Sequence, residues 1–183
     1  QSTSSHLKKT LQDTLFIVFD LETTGGNPER NCITEIFALK IIGDEIIGSF
    51  YSLINPYMPI PPIVRRITGI TDKMVRKAPH IKEIIPTFIE FIGDCPLVAH
   101  NIIGDLLFVR HYANLYCKKE INNFYLCTHL LSDKLINHAP NKSLRGLGQF
   151  LELPGQANHR AESDAYQTFE LFKYLLNKLD QAQ

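Results

Sequence analysis

No apolar stretch in this chain approaches the roughly 20 residues needed to cross a bilayer, because Lys, Arg, Asp or Glu interrupts every candidate, and no membrane partner is expected. Cysteine is sparse: Cys32, Cys95, Cys117 and Cys127 form no C-x-x-C pair and stand at no zinc-finger spacing from a histidine. They read as reduced core or near-core thiols, and the expected location is the cytoplasm. Neither sign of charge is in excess, with 19 basic and 19 acidic residues, which at first argues against a polyanionic partner. Gly25-Gly26 lacks the spacing of a phosphate-cradling P-loop, so no nucleoside-triphosphate site is expected. There is no internal repeat and no low-complexity tract. The N-terminus is polar and without the apolar core of a secretory signal, and it starts on Gln1 where a fragment or processed chain would lack Met.

What is present suits one globular domain: 183 residues, 44% hydrophobic and 21% charged. The domain is drawn over residues 14–180, after a polar and flexible lead-in over residues 1–13. Leu15-Phe16-Ile17-Val18-Phe19 is apolar on both faces and reads as a buried strand. Residues 33–42 and 45–54 read as two more strands, joined at the hairpin signal Gly43-Asp44. Pro56, Pro59, Pro61 and Pro62 punctuate a loop, and Thr71 is placed to cap a short helix from Asp72. A helix follows over 81–92, with Pro86 expected to bend it or shift its start. A short buried strand at 96–99 and another at 124–127 alternate with helices over 103–116, 128–137, 143–151 and 161–179. An antiparallel hairpin followed by alternating strands and helices implies an α/β fold, a mixed sheet covered by helices. The seven tyrosines form no stacking stripe and read as packing residues, and the last helix reads as core cover.

Asp20 and Glu22 end the first strand two residues apart. Side chains alternate with period two, so both carboxylates leave the core in the same direction. Like charges held side by side suit a divalent cation; the plainer reading is a solvated strand-to-loop turn. Asp105 has Phe108, Val109 and Tyr112 at i+3, i+4 and i+7, on the apolar stripe of its helix, where an unpaired carboxylate is costly. It reads as a metal ligand or as an acid favoured by the helix macrodipole. Asp164 repeats the pattern with Thr168, Leu171, Phe172 and Leu175 on its face. Five residues upstream, His159 lies on the preceding loop, either as a surface residue or as a base, since imidazole exchanges protons near neutral pH. Setting the four acids aside leaves the rest of the chain at +4, which allows a phosphate-bearing substrate.

The ordered motifs FDLETTG, VAHNIIGD and HRAESDA, with INPYMPIPP, ITGIT and AP between the first two, resemble the DEDD exonuclease superfamily over about residues 15–179. The likeness is to the branch with histidine in its third motif, and within it to the proofreading exonucleases of bacterial replicative polymerases. The resemblance implies a ribonuclease H-like fold with a mixed five-stranded sheet, three antiparallel strands first and then parallel ones. It implies 3′→5′ hydrolysis of single-stranded DNA ends to nucleoside 5′-monophosphates. Asp20, Glu22, Asp105 and Asp164 would hold two Mg²⁺ or Mn²⁺ ions, with His159 as general base. Thr23, Thr24, Ile70, His100 and Asn101 fall where the family contacts substrate, although Thr23 and Thr24 also read as turn residues and Ile70 as core. A DNA polymerase, or another replication or repair protein, is the implied partner. One departure stands out: Gly104 occupies a position where many relatives carry an aromatic residue. An RNA 3′-end trimmer on the same fold, or a catalytically silent nucleic-acid-binding or docking module, are the alternatives.

Overall fold

β1 (Leu15–Thr23) is the hub of the sheet. It pairs antiparallel with β2 (Ile33–Ile42) and parallel with β4 (Leu97–Ala99), while β3 (Glu45–Leu53) extends one side and β5 (Tyr125–Cys127) the other. The order is β3-β2-β1-β4-β5, the mixed five-stranded sheet expected. The computed structural model describes residues 10–181. Its helices are α1 (Pro62–Thr68), α2 (Asp72–Val75), α3 (Ile81–Ile92), α4 (Ile102–Tyr112), α5 (Thr128–Leu135), α6 (Leu144–Phe150) and α7 (Ala161–Gln181). Among the described residues no helix is long and apolar enough to cross a membrane.

Alternation along β1 sends its side chains into two helical layers. Ile17, Phe19 and Leu21 join a core with Ile85 and Phe88 of α3 and Leu106 and Val109 of α4. Phe16 and Val18 join the opposite core, with Phe37, Leu39 and Ile41 of β2 and Ala161, Ala165, Phe169 and Phe172 of α7. Phe16 meets Phe172 edge to face at 5.2 Å, which fixes α7 on the sheet. The same parity puts Asp20, Glu22 and, on β2, Glu35 on the face that α7 covers.

Several local expectations change. β1 continues through both acids to Thr23 because β2 supplies partners as far as Ile33, with a bulge between Glu22 and Thr23. The proline-rich stretch is not all loop: Pro62 opens α1, where a missing N–H costs nothing, and Gly69 closes it at φ +70. Pro86 does not move the start of α3. His80 caps that helix in a capping box with Glu83, and Pro86 removes only one bond, at an exposed position. The helix expected over 103–116 is α4 followed by a π-helical turn, Ala113–Cys117. Among the tyrosines, Tyr112 is buried, whereas Tyr57 is 74% exposed at φ +51, so packing does not describe them all. Of the lead-in, residues 10–12 are helical and residues 1–9 lie outside the described residues.

Gly104 sits in the first turn of α4 with nothing within 4 Å of where a Cβ would stand, and its φ lies outside the left-handed region. Neither space nor backbone conformation requires glycine there. Gly104→Ala should therefore raise stability by about 0.5 kcal/mol through reduced freedom of the unfolded chain. A higher urea midpoint at unchanged slope is expected; a lower midpoint would show that the position needs its glycine.

Candidate active site

β1 carries Asp20 opposite Phe37 and Glu22 opposite Glu35, so both acids are held in a hydrogen-bonded ladder. Asp164, only 8% exposed, comes from the first turn of α7 on the same face. Asp20, Glu22 and Asp164 each offer a carboxylate oxygen, and these oxygens lie within 4.8 Å of one another. Asp105 enters from the first turn of α4. Its carboxylate faces the backbone of Leu21, the residue between the two β1 acids, and its charge bears on both of them. The structure thus gathers all four acids, from three separate elements, at the end of β1.

Electrostatics show how tightly they are held. Burial, then the charges of Asp105, Glu22, Asp164 and Glu35, raise Asp20 well above the usual carboxylate range. Burial, followed by Asp164, Glu35 and Asp105, pushes Glu22 up to about 8, against some relief from Arg160. Burial likewise pushes Asp105 up to about 8, opposed by the backbone of Leu21. Such a pocket has a strong affinity for positive charge. All its donors are hard carboxylate oxygens, the chemistry that Mg²⁺ or Mn²⁺ prefers, and the residues fit a divalent cation on that ground.

The turn before α7 is built around carboxylates. Asp164 Oδ1 accepts the N–H of Asn158 at 2.9 Å and the hydroxyl of Ser163 at 3.1 Å. His159 follows, exposed, at φ +60, with no hydrogen bond among the described residues. Arg160 and Ala161 then bind Glu35: Arg160 Nε lies 3.0 Å from Oε2, Nη2 lies 2.5 Å from Oε1, and the Ala161 N–H lies 2.9 Å from Oε2. Glu35 and Arg160 are missing from the sequence-based candidates. A signal was present, since a lone acid inside ITEIFALKII must find a partner once buried, but nothing local says which one.

The residues expected to touch substrate fare differently. Thr23 donates its hydroxyl to the Gly25 carbonyl at 2.8 Å and stays partly accessible. Thr24 is buried; its N–H donates to the Cys32 carbonyl and its Oγ1 accepts the Cys32 N–H, so it closes the turn over residues 25–31. Ile70 is 0% exposed and packs in a small cluster with Ile60 and Val75. His100 is also committed. Its Nε2 lies 2.9 Å from the Lys142 carbonyl and must donate, which leaves Nδ1 to accept the Thr128 hydroxyl at 2.9 Å. Burial lowers His100 to about 4, only partly offset by the Lys142 bond, which keeps the imidazole neutral. Asn101 is exposed at φ +62, at the start of α4.

The sequence matches the Exonuclease family RNase_T over residues 17–172. The chain belongs to this family. A putative bifunctional exonuclease/endonuclease of Mycobacterium tuberculosis is 38% identical over 92% of the chain, which spans 27% of that protein. The DNA polymerase III subunit epsilon of Aquifex aeolicus is 33% identical over 96% of the chain and 87% of the subunit. A PolC-type DNA polymerase III of Caldanaerobacter subterraneus is 38% identical, and the chain spans 12% of it. Among solved structures, exonuclease X in complex with 5′-overhanging duplex DNA superposes with a TM-score of 0.72 at 28% identity, over 88% of this chain and 91% of that one. Escherichia coli exonuclease I, at 16% identity and a TM-score of 0.78 over 93% of this chain and 42% of that one, shares the fold. The chain is thus an exonuclease domain on the ribonuclease H-like fold.

Raised carboxyl pKa values make the metal-free exonuclease domain sensitive to alkali. A group that binds its proton more tightly when folded contributes stability that is present below its unfolded pKa, near 4, and is lost as pH rises through the folded value, about 8 for Glu22 and Asp105. In EDTA the melting temperature should fall between pH 5 and 8.5, and Mn²⁺ should restore it by an amount that grows with pH, because protons and cations compete for the same oxygens. A Mn²⁺ effect independent of pH would show that these acids are not where the ion acts.

Proposed function

We propose that this exonuclease domain removes nucleotides from the 3′ end of single-stranded DNA as nucleoside 5′-monophosphates, in a proofreading or repair setting. The observation that carries the reading is the convergence of Asp20, Glu22 and Asp164, with carboxylate oxygens within 4.8 Å of one another, beside Asp105. These four would hold two Mg²⁺ or Mn²⁺ ions. Bound there, the pair supplies activation of water and neutralisation of charge on the phosphodiester and on the departing 3′-oxygen.

The chain's own groups supply the rest. The β ladder fixes Asp20 and Glu22, and the first turns of α4 and α7 bring Asp105 and Asp164 to them, so the donor set is assembled before anything binds. His159 is the general base. Its exposed imidazole is not engaged by the protein, and it can take the proton of the attacking water and release it to solvent. Thr23 and Asn101, partly or fully exposed at the end of β1 and the start of α4, are the contacts left for the terminal nucleotide. DNA is favoured over RNA because the epsilon and PolC-type relatives are DNA polymerase III proteins and exonuclease X is seen with DNA. A replicative polymerase is the partner those relatives suggest.

Incubation of 5′-labelled single-stranded DNA and RNA of one sequence, with Mg²⁺, Mn²⁺ or EDTA, tests the reading. Stepwise shortening of the DNA from its 3′ end, dependent on metal, is expected; shortening of the RNA alone would make the domain an RNA trimmer, and none at all would refute a nuclease. Asp20→Ala should abolish turnover in a folded protein. His159→Ala should lower kcat by roughly 10²–10⁴-fold, and an unaltered pH–rate profile in that variant would remove it as the base.

A further inference from the structure

We infer that Glu35 and Arg160 are a positioning pair for His159: neither touches substrate, and together they fix the turn that presents the base. The inference rests on the reading of His159 given above. Glu35 stands in the middle of β2 with no exposed surface. A carboxylate there is strongly disfavoured unless it is paired and fully hydrogen-bonded. It is both. Arg160 Nε donates to Oε1 at 3.2 Å and Oε2 at 3.0 Å, Nη2 to Oε1 at 2.5 Å, the Ala161 N–H to Oε2 at 2.9 Å, and the Tyr51 hydroxyl to Oε1 at 3.2 Å. Two oxygens offer about four acceptor sites, so Glu35 has nothing left for a cation, although it sits directly across the ladder from Glu22.

Two of these donors, Arg160 and Ala161, are the residues that follow His159. The residue before it, Asn158, donates its N–H to Asp164, a member of the acid cluster. His159 is therefore clamped on both sides, by a cluster carboxylate ahead and by Glu35 behind. Its φ of +60 is a conformation that side-chain-bearing residues seldom adopt, and it persists only where the surroundings impose it. Docking α7 does not by itself call for a charge pair with one buried and one partly exposed member, because Ala165, Phe169 and Phe172 already hold that helix to β1 and β2. A buried ion pair replaced by apolar residues is often neutral for stability. What the planar guanidinium adds is a fixed geometry, two atoms from more than one direction on one carboxylate.

The test is a set of double-mutant cycles on the full chain. Glu35→Gln and Arg160→Gln, checked for folding by thermal melts, should lower kcat on a single-stranded oligonucleotide by about 10–100-fold, as misplacement of a reacting group does, with KM held within about twofold. In a His159→Ala background the same changes should cost less than about twofold more, because their effect passes through the imidazole. Mn²⁺ affinity by calorimetry should be unchanged. If a glutamine variant fails to fold, Arg160→Lys keeps the charge without the fork and should show a smaller kcat loss of the same non-additive kind. Losses that add fully to His159→Ala, or that appear in KM alone, would overturn the pair's role, and a collapse of Mn²⁺ affinity would make Glu35 a ligand instead. If His159→Ala proves as active as the wild type, it is the base assignment that has failed, and the role of the pair falls with it.

Discussion

Mutual repulsion among buried carboxylates is the constraint around which this domain is arranged. Parity along β1 and β2 directs Asp20, Glu22 and Glu35 to one face, and α7 then covers that face and adds Asp164. Folding thus concentrates negative charge where water is being removed, the direction in which electrostatic cost grows. A proton, a cation or a guanidinium can relieve it, and the molecule uses position to decide which. The three acids at the end of β1 and Asp105 are left for the first two; Glu35, one ladder step away, is given the third.

The support for this arrangement is apolar and rigid. β1 contributes to both cores, so the backbone that bears Asp20 and Glu22 is pinned from above and below by packing. β1, β4 and β5 run parallel, and the acids and the start of α4 lie at their carboxyl ends, the edge at which open α/β sheets place their sites. Beyond that edge, His100 ties the end of β4 to Thr128 and to Lys142, whose ammonium caps the carbonyls of Ile136, Asn137 and Ala139. His100 thereby braces the loop after α5.

What could be read from the sequence follows the range of the forces involved. Strand identity and the Gly43-Asp44 hairpin depend on periodicity and turn chemistry, which are local, and they appear as expected. The four acids were legible because each breaks an apolar pattern at a place where a solvated acid is out of keeping. For Thr24, Ile70 and His100 motif position says where a residue falls and not which contacts it makes within the fold: Thr24 engages Cys32, Ile70 packs with Ile60 and Val75, and His100 bonds Thr128 and Lys142. α1 was hidden by its prolines, which stop a helix in its interior and start one at its first turn.

Glu22 and Glu35 show why residue type alone does not assign a role. They face each other across one antiparallel pair, differ in no covalent respect, and lie on the same side of the sheet, Glu35 buried and Glu22 partly so. Like charges so placed destabilise a sheet unless something intervenes. Arg160 intervenes, but asymmetrically: it saturates Glu35 and only modestly relieves Glu22, whose carboxyl is still pushed up to about 8. One glutamate becomes an inert part of the scaffold and the other remains an unsatisfied donor facing the cluster. The difference comes from a helix more than a hundred residues away in the chain, so the contrast exists only once α7 has docked, and docking α7 is also what completes the acid pocket.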